Sequence, residues 1–450
     1  MVTLDRGMGL LQATATNIIG MVGVGPFLTI PFMVTAMGGP HIIYAWAFGA
    51  VLALCDGLVY AELGAALPGS GGPYVYLREA YRPFGLGRLM AFVFIFQTML
   101  VAPLSIAGAA VGFADYLGFY WTSMGGPAHN LIAAGVTIAV TALLYRDIRS
   151  IGRLAVIMLV VVMATVGWVI VAGLFNFSLA QAFDFPPEAG RLDASLLRAT
   201  AATGLLAMYN YGGYNNICNI GEEIRSPERT VPRAIVLSIA IVVVLYVVMS
   251  TVILGMVPWR EAQESRTIAS LFIARTFNDP ASGRVAAIVM TALILFVTAS
   301  SLYAVILGYS RIPFAAARDG QFFRAFGRVH ATKHFPHVSL LTIGAVALPF
   351  CFFSLGQLVS WLIQVQILLQ FVWQCAAVML LRRCRPDIAK PFRMWLYPLP
   401  ALVSLGMWLY IFVSSPLPGI VFAAVFLGVA VTAYYLFQRR ASGDDSAALG

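Results

Sequence analysis

The chain has 450 residues, of which 60% are hydrophobic and only 10% charged, with a mean hydropathy of +0.86. Soluble domains carry about 25% charged residues, so this composition excludes a water-soluble globular protein. A net charge of +9 fits nucleic-acid binding only where basic residues form a stripe, and here they sit in short loops between apolar runs.

Twelve apolar runs are long enough to read as membrane helices, at about 10–36, 41–67, 88–117, 128–145, 154–176, 196–220, 232–257, 283–310, 338–354, 356–381, 394–414 and 417–437. The first follows Asp5-Arg6, which is not a basic n-region, and it is too long for a cleavable signal. These runs predict one polytopic all-α membrane domain over about 1–440, with 441–450 a small, polar, disordered tail. Threading the runs in order puts most of the 28 Lys and Arg on the side of both termini, among them Arg78, Arg82, Arg146, Arg149, Arg382 and Arg383. By the positive-inside rule both termini are cytoplasmic.

Cys55, Cys218, Cys351, Cys375 and Cys384 contain no CxxC pair, so neither a disulfide framework nor a zinc site is expected. His330, His334 and His337 in "HATKHFPH" lack an acidic or thiolate companion and read as a solvated basic loop.

The first run contains "NIIGMVGVGPFLTIP", with Gly20, Gly23, Gly25 and Pro26 close together. Glycine costs about 1 and proline about 3 kcal/mol against alanine inside a helix, so the helix is expected to stop and restart. The sixth run repeats the pattern in "LLAMYNYGGYNNICNIGEE", where Asn210, Gly212, Gly213, Asn215 and Asn216 cluster. Irregular backbone survives in a bilayer only when it is buried in protein or lines a cavity. Two broken helices at an offset of five point to a transporter site between inverted repeats. The exposed N–H ends suit a carboxylate and the exposed C=O ends an ammonium group, so a zwitterion can be held without a charged side chain.

Three acids fall within runs: Asp56, Glu62 and Asp115. Asp56 lies deep in the second run and is either a proton-coupling group or a hydrogen-bonded structural acid. Glu62 is expected to pair with a loop arginine, and Asp115 to reach water at the outer edge. An intramembrane enzyme would need a convergent nucleophile and base, paired aspartates or a metal motif, none of which is visible, and a channel fits the five-helix offset less well.

Five stretches, "GVGPF" at 23–27, "YAELGAALPGSGGPYVYLREAY" at 60–81, "YGGYNN" at 211–216, "GEEIRSPERTVPRAI" at 221–235 and "SRIPFAAARDGQFF" at 310–323, resemble the amino acid–polyamine–organocation transporters, closest to their L-type amino acid branch. The resemblance covers about 10–435. It implies a LeuT-like 5+5 inverted repeat, with repeats at about 10–176 and 196–381, two additional helices at about 394–437, and alternating access around a central site. By the same resemblance Gly23, Val24 and Gly25, preceded by Val22, hold the substrate carboxylate. Tyr211, Gly212 and Gly213, flanked by Asn210 and Asn215, receive the amino group, and Tyr214 is an aromatic gate or specificity contact. Glu222 and Glu223 match an acidic pair at the cytoplasmic end of the sixth span, either an inner gate or helix cap or a structural pair with Arg225 or Arg229.

The chain departs from the family pattern at Val24 and Pro26, and where many relatives carry a lysine in the fifth span it has "RLAVIMLVVVMATVG". Thr298, Ser300 and Ser301, with the carbonyls of Ile19 and Val22, resemble the sodium site of sodium-coupled members, against ordinary Ser/Thr packing. The implied function is secondary transport of an amino acid, a neutral one given the lack of pocket charge, with polyamine or organic-cation transport as the alternative. No cofactor beyond a coupling Na+ or H+ is implied. The partners are an amino acid or amine and the lipid bilayer, with no nucleic acid and no obligate protein, in a bacterial inner membrane.

Overall fold

The computed structural model describes residues 6–121, 123–186, 194–265 and 267–447. Among them every regular element is helical, with isolated bridges joining Met8 to Ile224 and Ser70 to Ile220. In chain order the helices are α1 (Leu10–Met21), α2 (Gly25–Met37), α3 (Ile42–Ala66), α4 (Pro73–Tyr81), α5 (Gly87–Leu117), α6 (Gly126–Leu143) and α7 (Ile148–Leu174). There follow α8 (Leu179–Ala182), α9 (Ala194–Tyr211), α10 (Asn216–Asn219), α11 (Pro227–Leu254), α12 (Trp259–Ala262), α13 (Ile268–Arg275) and α14 (Pro280–Tyr309). The last are α15 (Arg311–Arg318), α16 (His337–Ala347), α17 (Leu355–Gln366), α18 (Val372–Cys384), α19 (Leu399–Ser414) and α20 (Leu417–Ala447).

Helix ends follow local chemistry. The Asp147 carboxylate caps α7 by accepting the amides of Arg149 and Ser150 at 3.1 and 3.0 Å. The Ser150 hydroxyl and amide, with the Arg149 amide, hold its carboxyl below the usual carboxylate range. Asp279 opens α14 in the same way, and Gly38, at φ 70°, closes α2 in the left-handed region.

Among the described residues eight helices, with α14–α15 and α17–α18 each taken as one, are long and apolar enough to cross a membrane; α1 and α2, bent by 42° at their break, make a ninth when taken as one span. The chain is thus a multi-pass integral membrane protein. Of the remaining apolar runs, two give shorter helices, α16, extended by a tight turn to Phe352, and α19, while α9 is as long as α6 but carries Arg198 and Asn210 and stops at Tyr211. As backbone, α20 continues to Ala447, into the tail expected to be disordered, because its i→i+4 bonds carry on past the apolar run; residues 448–450 lie outside the described ones.

The broken segments lie at the centre. Helix α1 packs on α7, α11 and α14, and α2 packs on α9. At the periphery only 11% of the apolar window of α20 is buried, against 67% for α5, so α20 presents Val421, Val425 and Val429 outward to lipid.

The face that carries Gly7 and Met8 is tied by ion pairs. Glu62, fully buried, takes Arg382 at 2.5 and 2.6 Å and the Met394 amide at 2.8 Å, so the expected arginine pairing is present, with the arginine in the last turn of α18 and not in a loop. Arg382 also lies over the Tyr397 ring at 3.9 Å. Burial pushes the Glu79 carboxyl up, but Arg385 and Arg78 outweigh it and hold the group below the usual range. Glu62→Gln leaves Arg382 without its counter-charge, and we expect a loss of about 2 kcal/mol, read as a lower thermal midpoint in detergent. Adding Arg382→Met to that variant should recover most of the loss.

Candidate functional site

Between α1 and α2 the chain leaves the helical path at Val22–Val24, and Pro26 falls in the first turn of α2, where a missing amide costs nothing. Between α9 and α10 it leaves at Gly212–Asn215. Gly213 has φ 117°, and a Cβ there would sit 2.9 Å from the Gly20 carbonyl carbon and 3.1 Å from the Met21 nitrogen. Only glycine satisfies both demands, so the two breaks touch backbone to backbone.

Two side chains hold them together. The Asn17 amide donates to the Tyr214 carbonyl at 2.7 Å, and its Oδ1 accepts the Ile217 amide at 3.1 Å, so one side chain serves both ends of the α9–α10 gap. The Tyr246 hydroxyl, from α11, lies 2.7 Å from the Met21 carbonyl and 3.3 Å from that of Asn210. Neither residue was singled out from the sequence; the available signal was a lone polar side chain inside an apolar run.

A cavity of about 120 Å³ opens between the breaks. Of the expected substrate residues, Gly23, Val24, Gly25, Asn210, Gly212, Gly213, Tyr214 and Asn215 line it. Val22 and Tyr211 do not, and both are fully buried. The Tyr211 ring instead packs on Trp46 and Tyr246, with its hydroxyl donating to the Trp46 carbonyl at 3.3 Å. Asn210 donates to Thr29 Oγ1 at 2.7 Å and leaves its Oδ1 without a hydrogen-bond partner beside Gly25. Among the described residues no Asp, Glu, Lys, Arg or His lines the cavity.

The opposite wall is polar, and the sequence did not disclose it. Ser105 and Gln366 both reach the Tyr309 hydroxyl, at 3.4 and 3.3 Å. Gln370 lies in a π-helical stretch, Ile367–Phe371, accepts from Gln97 at 2.8 Å and donates to the Tyr60 hydroxyl at 2.7 Å. Such wide turns recur at functional sites because they re-aim side chains.

The hydroxyls proposed for sodium divide. Ser301 faces the first break, donating to the Gly20 carbonyl at 3.3 Å, and it lines the cavity with Thr298. Thr298 and Ser300 donate within their own helix, each at 2.8 Å, to Ile294 and Phe296, and Ser300 is not on the wall. The Ile19 and Val22 side chains are fully buried. Asp56 is fully buried outside the wall, and its Oδ2 accepts from the Tyr214 hydroxyl at 2.5 Å.

The acidic pair finds partners other than Arg225 and Arg229. Glu223 holds Arg311 at 2.8 and 3.2 Å with both side chains buried, and Glu222 meets Arg318 at 3.0 Å. The turn at Gly221–Glu223 aims Glu223 inward, while Ser226, at φ 46°, follows Arg225 out to the surface. The Glu223 carbonyl also accepts the amides of Gly7 and Met8 at 3.0 and 3.2 Å. This face is therefore closed beneath the cavity. Towards the opposite face lies a space of about 1020 Å³, lined by Asp115, His129, Glu264 and Gln364 among others. Asp115 is exposed there and meets His129 at 2.9 Å.

Asn17→Ala would strand the Tyr214 carbonyl and the Ile217 amide together, and a loss of about 2 kcal/mol is expected, measured by thermal unfolding in detergent.

The amino acid permease family matches residues 8–437. A methylthioribose transporter of Bacillus subtilis is 25% identical over 98% of this chain and 95% of its own. A branched-chain amino acid permease of the same organism is 25% identical over 98% and 94%, and the human cystine/glutamate transporter 27% over 97% and 86%. Since the match spans both breaks and nearly every helix around them, the chain belongs to the amino acid permease family, whose members are membrane transporters and not enzymes.

Proposed function

We propose that the protein is a secondary active transporter that carries a neutral amino acid by alternating access. The observation that carries this reading is the uncharged cavity bounded by the free ends of broken helices. The N–H groups opening α2 offer a carboxylate site, and the carbonyls closing α9 offer an ammonium site. The remaining wall, with Ser105, Tyr309 and Gln366, would meet the substrate side chain with neutral polar groups.

The broken helices fall in corresponding places of a 5+5 inverted repeat followed by two additional helices, twelve spans in all, and this is the architecture we propose. With both termini cytoplasmic, the Glu223–Arg311 pair closes the inner side and the larger space opens outward, in the membrane of a bacterial cell. Tyr214 would gate the site, with Glu222 and Glu223 at the inner seal. Coupling would use Na+ at Ser301 or H+ at Asp56.

A polyamine would need carboxylates on the cavity wall, and Asp56 lies behind it. A neutral hydroxylated solute is the stronger second reading, since the wall is rich in amides and hydroxyls and one relative is named a methylthioribose transporter.

The test is counterflow into liposomes with labelled alanine, serine, leucine, arginine, putrescine and methylthioribose. Exchange of alanine, serine or leucine is expected. Movement of putrescine alone would overturn the zwitterion site, and movement of methylthioribose alone would select the second reading. Gly23→Ala places a Cβ 2.9 Å from Ser301 Oγ at the carboxylate end. It should weaken apparent substrate affinity about tenfold or more, a difference of about 1.4 kcal/mol, with the thermal midpoint near that of wild type.

A further inference from the structure

Asp56 lies in the middle of α3, fully buried, in a segment that spans the membrane. Among the described residues no Lys, Arg or His forms an ion pair with it, whereas the buried Glu62 and Glu223 each hold an arginine. A buried carboxylate without a counter-ion is expensive, so its surroundings must offset the cost by hydrogen bonds or by a proton.

Those surroundings accommodate both states. Oδ1 accepts from Trp408 Nε1 at 3.2 Å and from the Ser404 hydroxyl at 3.0 Å, with the Cys375 thiol at 3.8 Å. An indole N–H can only donate, so Oδ1 is an acceptor whether or not the group is ionised. Among the described residues Oδ2 accepts from the Tyr214 hydroxyl alone. As a carboxylate, Asp56 accepts the phenol hydrogen. As a carboxylic acid, it donates its own hydrogen to the phenol oxygen, and the Tyr214 hydrogen is released to find another acceptor. Tyr214 lines the cavity and belongs to the α9–α10 break, so this reversal is felt where the chain is irregular.

Among the described residues the other titratable groups around the site are thiols and phenols. Cys55 and Tyr60 share its helix, Tyr214 and Cys375 touch it, and Cys218 stands behind Tyr60. From α11, which also packs on α3, the aliphatic Ile235 and Ile239 face Gly57. At the rival ion site the hydroxyls are dispersed: Ser301 and Thr298 reach the cavity wall, whereas Ser300 lies off it and donates to its own helix.

We propose that Asp56 is the coupling-proton site: its carboxylate takes up one proton per substrate, forming one O–H bond, and gives that proton up on the other side of the membrane. Tyr214 transmits its occupancy to the broken helix. This rests on the transport reading above and replaces the choice of Na+ or H+ with H+.

The experiment uses the full chain in liposomes loaded with a pH dye, with labelled alanine and leucine outside. One proton per substrate lets a gradient of one pH unit, alkaline inside, support accumulation of up to about tenfold, and the lumen should acidify as substrate enters. Asp56→Asn mimics the protonated acid, donating to Tyr214 and accepting from Trp408. It should show measurable counterflow with accumulation reduced to the level seen without a gradient. Accumulation by D56N that still follows the pH gradient would overturn the proposal. So would wild-type uptake that follows sodium and not pH. If D56N does not fold, the wild-type dye signal decides: net uptake without acidification sinks the proposal. If neither amino acid exchanges in wild type, the substrate reading fails instead, and methylthioribose becomes the probe. Acidification with it supports Asp56, and uptake without acidification overturns it.

Discussion

The structure depends on one requirement: each backbone N–H and C=O freed by the two helix breaks must either find a partner in the protein or face the cavity. In hydrocarbon an unpaired backbone group costs several kcal/mol, so a gap in a spanning helix persists only where protein replaces the lost bonds. Asn17 meets this need at the α9–α10 gap by accepting from Ile217 and donating to Tyr214. Its placement requires α1 to lie against that gap, which requires Gly213 to lack a side chain against Gly20 and Met21. Tyr246 then ties the C-terminal ends of both leading half-helices to α11 through Met21 and Asn210. The groups left free at the gaps are those that face the cavity, and a ligand can use them because the rest are already bonded.

The same economy governs charge. The cavity wall is neutral, and the buried charges of the N-terminal face occur as pairs, Glu62 with Arg382 and Glu223 with Arg311. A buried ion pair contributes little net stability against water, because desolvation offsets most of the Coulomb attraction, yet removing one partner is costly. Such a pair suits a seal. Were this face to open in the proposed transport cycle, water would solvate both charges, so the open and closed states would differ by far less than the bare attraction. The Glu223 carbonyl also receives the amides of Gly7 and Met8, so the chain preceding α1 is part of that seal.

What the sequence discloses follows from how local each feature is. The breaks were legible because glycine and proline act on the backbone where they stand, and eight of the named cavity residues lie within two short stretches. The arginine partner of Glu62 was legible as a type. The partner of Glu223 was not, because Arg311 lies far along the chain while Arg225 and Arg229 lie close by and point outward. Val22 and Tyr211 were named for their backbone groups, and their side chains are buried in the packing behind the cavity. The π-helical stretch at Ile367–Phe371 left no local mark either, since an extra residue in a turn is set by the neighbours of α17 and α18. The apolar runs that became α16 and α19 show the converse: hydropathy registers what lipid tolerates, while helix length follows from turns and breaks.

Helix α19 lies outside both broken segments and still reaches the centre. Trp408 stacks on Phe371 with ring centroids 4.2 Å apart, and both rings line the cavity. The edge of the same indole donates to Asp56 from behind the wall. Ser404, one turn earlier, donates to the same oxygen. One helix thus supplies a face to the ligand space and two donors to the buried acid, and Phe371 closes the π-helical stretch that positions Gln370. A shift of the α9–α10 break that moves Tyr214 would disturb the acid on its Oδ2 side while Trp408 and Ser404 keep Oδ1 fixed. The carboxyl group is therefore anchored at one oxygen and movable at the other. That asymmetry lets a change at the cavity alter the hydrogen bonding of Asp56 without loosening the helix bundle around it.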